Sequence, residues 1–285
     1  MAKKPIHVTS EIGDLQRVVL HRPGRELANM KAAEFEKCWI HDAFYLEYAQ
    51  KEHDAFANIL REAGSEVLYM EELLAEAMDA NPVARAAFLD EYMAQAPIPD
   101  PALVPLVREK LDAIEGNREL VAKALAGMRL HELDLASGPR TLSRLEGDGL
   151  APDDFVVYSM PSSYFSRDPI ASIGTGVALH RMYYNQRNRE VPFYKTFLTY
   201  HPDFAGTPFW YDNHSAAHIE GGDVLNINET TLAVGISERT EAAAIDTLAH
   251  NLFWGEEPSA IDTVYAIRIP FGYETMHLDT VFTQI

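Results

Sequence analysis

The chain alternates between short apolar runs and stretches in which apolar residues recur at helical spacing, a pattern typical of α/β proteins. The apolar run Arg17–His21 leads into a Pro-Gly turn and predicts a buried strand. Helical spacing extends from Tyr48 to Ala63 before a glycine stop, and Glu66–Met70 then predicts a second strand. We therefore expect residues 1–71 to form a first strand–helix–strand module.

Residues 72–137 differ in composition, because Ala, Leu, Glu and Met dominate and β-branched residues are few. Such a composition favours helix. The predicted helices are Glu72–Ala80, Val83–Ala94, Ala102–Ile114 and Arg118–Ala126. Three prolines separate the second helix from the third. This segment therefore predicts a helical bundle inserted into an α/β domain.

Residues 138–285 return to alternating strands and helices. The predicted strands are Asp154–Ser159, Ala171–His180, Asp223–Ile227, Thr231–Ile236 and Thr263–Ile269, and the predicted helices are Glu190–His201 and Thr240–Phe253. The last residues, Val281–Ile285, alternate in polarity and predict another strand. Because domains rarely end in the middle of a strand, we expect the complete protein to continue beyond this point.

Acidic residues outnumber basic ones, 43 against 24, and the formal net charge is −19. Such a charge repels phosphate backbones and anionic lipid, so nucleic acid and membrane surfaces are poor partners. A signal-peptide pattern and a spanning run of ~18 apolar residues are both lacking, which predicts a cytoplasmic protein. Cys38 is the only cysteine, and its apolar neighbours favour a packed structural thiol.

Four polar segments border the predicted strands, and polar groups at strand ends commonly form the sites of α/β proteins. They are Phe165–Pro169, His218–Asp223, Ser237–Thr240 and Met276–Thr280. Each could instead be a turn with a local ion pair. Together they offer the carboxylates of Asp168, Glu220 and Asp279, which could grip a planar guanidinium. His277 stands two residues before Asp279, so on an extended segment both would face one pocket, where the histidine could transfer protons.

A metal site is a weaker interpretation of the same region. His214 and His218 are four residues apart, but the segment has loop composition and no third ligand at motif spacing. Gly221 and Gly222 permit either a sharp turn or a close approach of the backbone to a ligand. We therefore predict a site without metal for a cationic guanidine or amidine.

Seven motifs in order resemble the arginine deiminase family. They are Glu11-Ile12-Gly13-Asp14-Leu15, His21-Arg22-Pro23-Gly24-Arg25-Glu26, Phe165-Ser166-Arg167-Asp168-Pro169, Arg187-Asn188-Arg189-Glu190, Ile219-Glu220-Gly221-Gly222-Asp223, Ser237-Glu238-Arg239-Thr240 and Met276-His277-Leu278-Asp279-Thr280. The resemblance implies a five-bladed α/β-propeller, the pentein fold, of which this chain would hold a part. Residues 1–71 would be the first propeller module, 72–137 the helical insertion and 138–285 further modules, with C-terminal modules missing.

The resemblance also implies catalytic roles for four residues. Asp168 and Asp279 would hold N–H groups of the substrate guanidinium and align its central carbon. His277 would shuttle protons, and Glu220 would orient it. In the family, a cysteine thiolate attacks the guanidinium carbon, ammonia leaves, and water then releases citrulline without a metal or organic cofactor.

Five further residues would bind L-arginine by the same resemblance. Arg187 and Arg239 would clamp the α-carboxylate, with Glu190 beside them, and Phe165 would pack on the aliphatic stem. Ser162 stands where the family commonly has Asn, which shortens the reach of that substrate contact. Because agmatine has no carboxylate, the two arginines argue against it as the substrate.

The family's nucleophilic cysteine lies beyond the His-x-Asp motif in a longer chain, and Cys38 matches no catalytic motif. We therefore expect this chain to be inactive by itself. A non-catalytic arginine-binding protein, an amidinotransferase and another guanidine deiminase stay open as alternatives. The resemblance also makes a homo-oligomer plausible.

Overall fold

The computed structural model describes residues 6–35, 45–135, 141–142 and 149–285, and Cys38 with its predicted packing lies outside them. The chain divides into two compact units. We call Gln16–Tyr164 the helical unit, and Met1–Leu15 together with Phe165–Ile285 the repeat unit. The predicted division at residues 71 and 137 follows different boundaries and stays a prediction.

Two short sheets and a set of helices form the helical unit. The strands are β1 (Arg17–Leu20), β2 (Glu66–Tyr69), β3 (Met128–Arg129) and β4 (Phe155–Val157). The helices are α1 (Arg25–Ala28), α2 (Leu46–Glu62), α3 (Met70–Ala80), α4 (Pro82–Gln95), α5 (Val104–Asp112) and α6 (Asn117–Ala126). β1 and β2 are parallel, β3 and β4 antiparallel. The predicted strand–helix–strand unit and the four predicted helices are thereby confirmed.

Local chemistry sets the ends of these helices. The Asn81 side chain accepts a hydrogen bond from the Val83 amide and caps α4, whose first residue is a proline. Asp100 caps a 3₁₀ turn, Pro101–Leu103, so the predicted helix Ala102–Ile114 is a turn followed by the shorter α5. The buried core of this unit includes Leu74, Phe88, Val107 and Leu120.

A buried ion-pair cluster occupies the turn after β1. His21 is 3% exposed, and its Nε2 and Nδ1 lie 3.0 Å from Glu26 Oε1 and 3.0 Å from Glu71 Oε2. Burial alone would lower the pKa of His21, but the two carboxylates outweigh it and raise the pKa to about 10. The ring is therefore a cation clamped between two anions at neutral pH.

The repeat unit contains two copies of one module, in which an antiparallel hairpin is followed by a helix and a strand. The first comprises β5 (Ile170–Ile173), β6 (Gly176–Leu179), α7 (Val191–Tyr200) and β7 (Phe209–Tyr211). The second comprises β8 (Val224–Asn228), β9 (Thr231–Ile236), α8 (Ala242–Trp254) and β10 (Thr263–Arg268). In each copy the last strand pairs in parallel with the middle one.

Three features of the repeat unit differ from the sequence predictions. The predicted strand Ala171–His180 is a hairpin, because Gly174 turns the chain with φ of 54°. The predicted strand Val281–Ile285 is wrong, because the Val281 and Phe282 amides donate to the Leu278 carbonyl and close a turn there. The short strand β7 was missed. The predicted strands β8 to β10 and both predicted helices are confirmed with small shifts at their ends.

Register places the candidate residues at one end of the modules. In each hairpin the start of the first strand lies beside the end of the second, and the parallel third strand ends there as well. One hydrophobic core continues through both modules and includes Ile173, Trp210, Val234 and Leu248. The described residues thus form a mixed α/β fold with four separate sheets of two or three strands and no closed sheet.

Within the described ranges, no helix is long and apolar enough to span a lipid bilayer.

Candidate active site

His277 and Glu220 form the buried centre of the site. The Nε2 atom of His277 lies 2.9 Å from Glu220 Oε2, and Nδ1 lies 3.9 Å from an oxygen of Asp168. Glu220 is fully buried, and its other oxygen accepts a hydrogen bond of 3.0 Å from the Tyr183 amide. The Thr240 hydroxyl accepts one from the Glu220 amide, which fixes the backbone as well.

The charges of this pair follow from competition between burial and hydrogen bonding. Burial raises the pKa of Glu220, but the hydrogen bond from His277 and the charges of Arg187 and Arg239 outweigh it, and the pKa is lowered. Burial likewise lowers the pKa of His277, but Glu220 and Asp168 outweigh it and raise the pKa. Both shifts favour an ionised carboxylate beside a protonated ring, and a protonated ring can donate a proton to a leaving group.

Close packing fixes the His277 ring. A Cβ atom at Gly222 would lie 2.6 Å from Cγ of the ring and 2.8 Å from its Cβ, so only glycine fits there. The next residue, Leu278, is buried with Leu225 and Ile269, and its amide donates to Asp223. His277 therefore extends from an anchored backbone and lies against a bare Cα.

Asp223 joins three segments of the site. It is fully buried, and its Oδ1 accepts a hydrogen bond of 2.8 Å from the Leu278 amide. Its Oδ2 accepts one of 2.7 Å from the Ser237 hydroxyl, which in turn accepts hydrogen bonds from the Arg239 and Thr240 amides. Burial raises the pKa of Asp223 despite these donors. Asp223 thus couples the position of His277 to that of Arg239.

Asp168 is held through its backbone and its side chain. Its carbonyl accepts hydrogen bonds from the Gly221 amide and from Nδ1 of the buried His180. Its Oδ2 lies 2.8 Å from Nη1 of Arg187, whose Nε and Nη2 contact both oxygens of Glu190 at 2.9 and 2.8 Å. The Arg187 guanidinium therefore already engages two carboxylates, one of which is a predicted ligand of the substrate.

Arg239 is a buried cation with an open donor. Its guanidinium carbon lies 4.3 Å from the centre of the Tyr184 ring, and Nη1 lies 3.6 Å from Glu220. Its Nε is buried and has no hydrogen-bond partner among the described residues. Because such a group is costly to leave unsatisfied, it is suited to an anionic oxygen of a ligand.

Asp279 lies at the edge of the site. Asp279 lies in a 3₁₀ turn, Leu278–Thr280, whereas His277 just before it is extended. The two residues therefore do not share the extended segment that was predicted to make them face one pocket. Oδ2 of Asp279 lies 3.5 Å from Nε of Arg167. Burial raises the pKa of Asp279, while the charges of His277 and Arg167 oppose that rise. A cavity of about 170 Å³ opens beside Asp279 and Arg167.

Most of the predicted site residues come together. One network contains Asp168, Arg187, Glu190, Glu220, Arg239 and His277. Phe165 belongs to the same unit but is 57% exposed, whereas Ser162 lies in a 3₁₀ turn of the helical unit. His180 and Tyr184 were not among the predicted site residues, because they follow β6 outside any recognised motif.

The donor atoms of Asp168, Glu220 and His277 lie within 4.8 Å of one another and could converge on a cation. Arg187 and Arg239 lie against two of these groups and supply positive charge there. The arrangement as a whole offers carboxylates for a planar cation, a proton donor beside them and a buried cation for an anionic group.

Comparisons with known proteins give one consistent result. The family model described as arginine deiminase matches residues 38–285. The arginine deiminase of Streptococcus pyogenes serotype M1 is 44% identical over 287 residues, which covers 100% of this chain and 68% of that protein. The same values hold for the arginine deiminase of Streptococcus pyogenes serotype M3 (strain SSI-1).

Two solved structures show weaker similarity. A mutant dimethylarginine dimethylaminohydrolase of Pseudomonas aeruginosa complexed with citrulline has 12% identity and a TM-score of 0.47, covering 93% of this chain and 64% of that one. An inosamine-phosphate amidinotransferase of Streptomyces griseus has 15% identity and a TM-score of 0.42, covering 93% of this chain and 63% of that one.

Proposed function

The chain belongs to the arginine deiminase family, and on that premise we propose that its site binds L-arginine for hydrolysis to L-citrulline and ammonia. The observation that carries the proposal is the buried His277–Glu220 pair, whose ring lies 3.9 Å from the Asp168 carboxylate. A proton donor thereby lies beside a group suited to hold a guanidinium.

Binding uses opposite charges at the two ends of the substrate. Asp168 and Asp279 take the guanidinium N–H groups, and the open Nε of Arg239 takes the α-carboxylate. The Arg187 guanidinium holds Asp168 and Glu190, and its positive charge would attract the substrate α-carboxylate.

The remaining binding groups follow the family positions alone. Phe165 would cover the aliphatic stem of the substrate, and its 57% exposure leaves its ring accessible for that contact. Ser162 would supply the polar contact that an asparagine commonly makes in the family.

The chemistry requires a thiolate and proton transfers through His277. The thiolate attacks the guanidinium carbon, the bond to one terminal nitrogen breaks, and the protonated His277 gives its proton to the departing ammonia. Neutral His277 then takes one proton from water, whose oxygen attacks the same carbon. The carbon–sulfur bond breaks, the second proton of that water is lost to solvent, and citrulline and the thiolate are released. No metal takes part in these steps.

We assign the thiolate to a cysteine outside these 285 residues, because Cys38 is the only cysteine here and matches no catalytic motif. The chain spans 68% of the length of its curated relatives. On this proposal the chain binds L-arginine and does not turn it over alone.

The two hairpin–helix–strand modules would be two blades of a five-bladed propeller. Their repeated strand order supports this arrangement. A cytoplasmic location and a homo-oligomer stay predictions of the sequence.

The test is citrulline formation from L-arginine by this chain and by the product of the complete reading frame, with calorimetric binding measured on both. We expect binding to both and citrulline only from the longer protein. Turnover by the short chain that disappears in Cys38→Ser would contradict the assignment of the thiolate. Binding to both without citrulline from either would indicate an arginine-binding protein.

A further inference from the structure

The first motif of the chain has a structural connection to the site. The Glu11 amide donates to the Asn226 carbonyl at 3.1 Å, and Glu11 Oε1 accepts a hydrogen bond of 2.8 Å from the Asn226 amide. Its other oxygen, Oε2, lies 3.2 Å from Nη2 of Arg167. The N-terminal segment is thus paired with β8, and its carboxylate faces Arg167.

Arg167 is fixed at its guanidinium group and at its backbone. Nη2 donates to the Val224 carbonyl at 3.1 Å as well as to Glu11. The Arg167 carbonyl packs so closely on Gly221 that a Cβ there would collide with it. With both ends fixed, Nε of Arg167 faces Oδ2 of Asp279 at 3.5 Å.

The other carboxylate assigned to the substrate guanidinium also lies beside an arginine of the chain. Nη1 of Arg187 donates to Oδ2 of Asp168 at 2.8 Å, and Nε of Arg167 forms a longer ion pair of 3.5 Å with Oδ2 of Asp279. Each carboxylate therefore has one oxygen held by an arginine of the chain, and Oδ1 is the oxygen through which each would meet a ligand.

We propose that Arg167 is a positioning residue, an inference that rests on the proposed function. Arg167 holds the Asp279 carboxylate so that Oδ1 of Asp279 receives the substrate guanidinium. The groups that act electrostatically on Asp279 fall into two sets. Burial raises its pKa, and the charges of Asp168 and Glu11 act in the same direction, whereas His277 and Arg167 lower it. Without Arg167, Asp279 protonates at higher pH, and a neutral carboxyl group holds a guanidinium weakly.

The experiment compares Arg167→Gln and Arg167→Lys in the 285-residue chain. The matched control is Arg22→Gln, which removes an arginine of similar exposure, 39% against 44%, from an ion pair with Asp54 in the helical unit. The titration midpoint of Asp279 is read by carbon NMR of labelled aspartate, assigned with Asp279→Asn. Calorimetry gives the affinity for L-arginine from pH 4 to pH 8, a range that spans roughly the titration of perturbed carboxylates.

We expect Arg167→Gln to raise the Asp279 midpoint and to move the acid limb of arginine binding to higher pH. At neutral pH the affinity should fall roughly fivefold, the effect of one partly exposed ion pair. Arg167→Lys should restore the midpoint in part, because it restores the charge. Arg22→Gln should change neither quantity.

An unchanged midpoint in Arg167→Gln, or an equal change in Arg22→Gln, would overturn the positioning role. A uniform loss of affinity at every pH, without recovery in the lysine variant, would overturn it as well. If the midpoint moves but the unsubstituted chain binds no L-arginine, the proposed function fails while the coupling of Arg167 to Asp279 stands.

Discussion

Gly222→Ala tests whether packing against a bare Cα positions the His277 ring. The added methyl would lie 2.6 Å from Cγ of the ring and 2.8 Å from its Cβ, well inside van der Waals contact. Restoring ordinary contact requires the ring to move by about 1 Å. The ring cannot make this shift freely, because Nε2 is bound to Glu220 at 2.9 Å and the backbone is anchored at Leu278.

Two costs follow from that displacement. Overpacking costs about 1–3 kcal/mol, and weakening a buried hydrogen bond between charged groups costs about 1.5–3 kcal/mol. Alanine restricts the unfolded chain and returns about 0.4–1 kcal/mol. We expect the free energy of unfolding to fall by roughly 1.5–5.5 kcal/mol. The pKa of His277 should fall as well, because burial persists while the hydrogen bond to Glu220 is weakened.

Urea unfolding measures the first effect, and an NMR titration of the histidine ring measures the second. Gly13→Ala is the matched control in the same unit, since its Cβ would meet the nearest side-chain atom at an ordinary 3.6 Å. Packing against Gly222 does not position the His277 ring if Gly222→Ala unfolds at the same urea concentration as Gly13→Ala and leaves the His277 titration unchanged.

Three further predictions use other contacts. Asp223→Asn should lower the free energy of unfolding in urea by about 1–3 kcal/mol. Both carboxylate oxygens of Asp223 accept hydrogen bonds, and asparagine replaces one of them with a nitrogen that cannot accept. Arg239→Ala should weaken L-arginine binding about 100-fold in calorimetry, the loss of one buried charged contact. Agmatine binding should change much less, since agmatine has no carboxylate. The ion pairs of His21 with Glu26 and Glu71 contribute their full share of the free energy of unfolding below pH 6.5, the ordinary pKa of histidine. This contribution should be lost as the pH rises through about 10, the pKa of His21 in the folded protein. Urea midpoints between pH 7 and pH 11 should show this loss, and His21→Gln should lack that component.

The polarity pattern predicted the elements that are regular over several turns or strand residues. β9, Thr231–Ile236, was predicted to the residue because an apolar run follows a polar turn there. The hairpin at Gly174 was missed because the turn Gly174-Thr175-Gly176 was included in one strand with the residues on either side of it. Val281–Ile285 was predicted as a strand, but the backbone closes a turn on Leu278 instead.

The sequence predicted which residues form the candidate site better than it predicted which of them contact each other. The motifs named Asp168, Glu220 and His277, and the structure brings them together. Sequence spacing gave no sign that Arg187 contacts Asp168, because the two residues are 19 positions apart and meet only through the fold. It also placed Asp279 on an extended segment, whereas the anchoring of Leu278 turns the chain there.

The two ends of each hairpin in the repeat unit should differ in how well they tolerate substitutions and insertions. One end of each hairpin carries the charged network, where Gly221 and Gly222 leave no room for a methyl group. At the opposite end, the tip of the second hairpin is formed by Glu229 and Thr230, and Glu229 is exposed. Loop insertions and sequence drift should therefore accumulate at that tip during evolution. Engineers seeking a place for a tag or a fused domain would start at the same tip, where lengthening the turn leaves the chemistry at the far end of the strands intact.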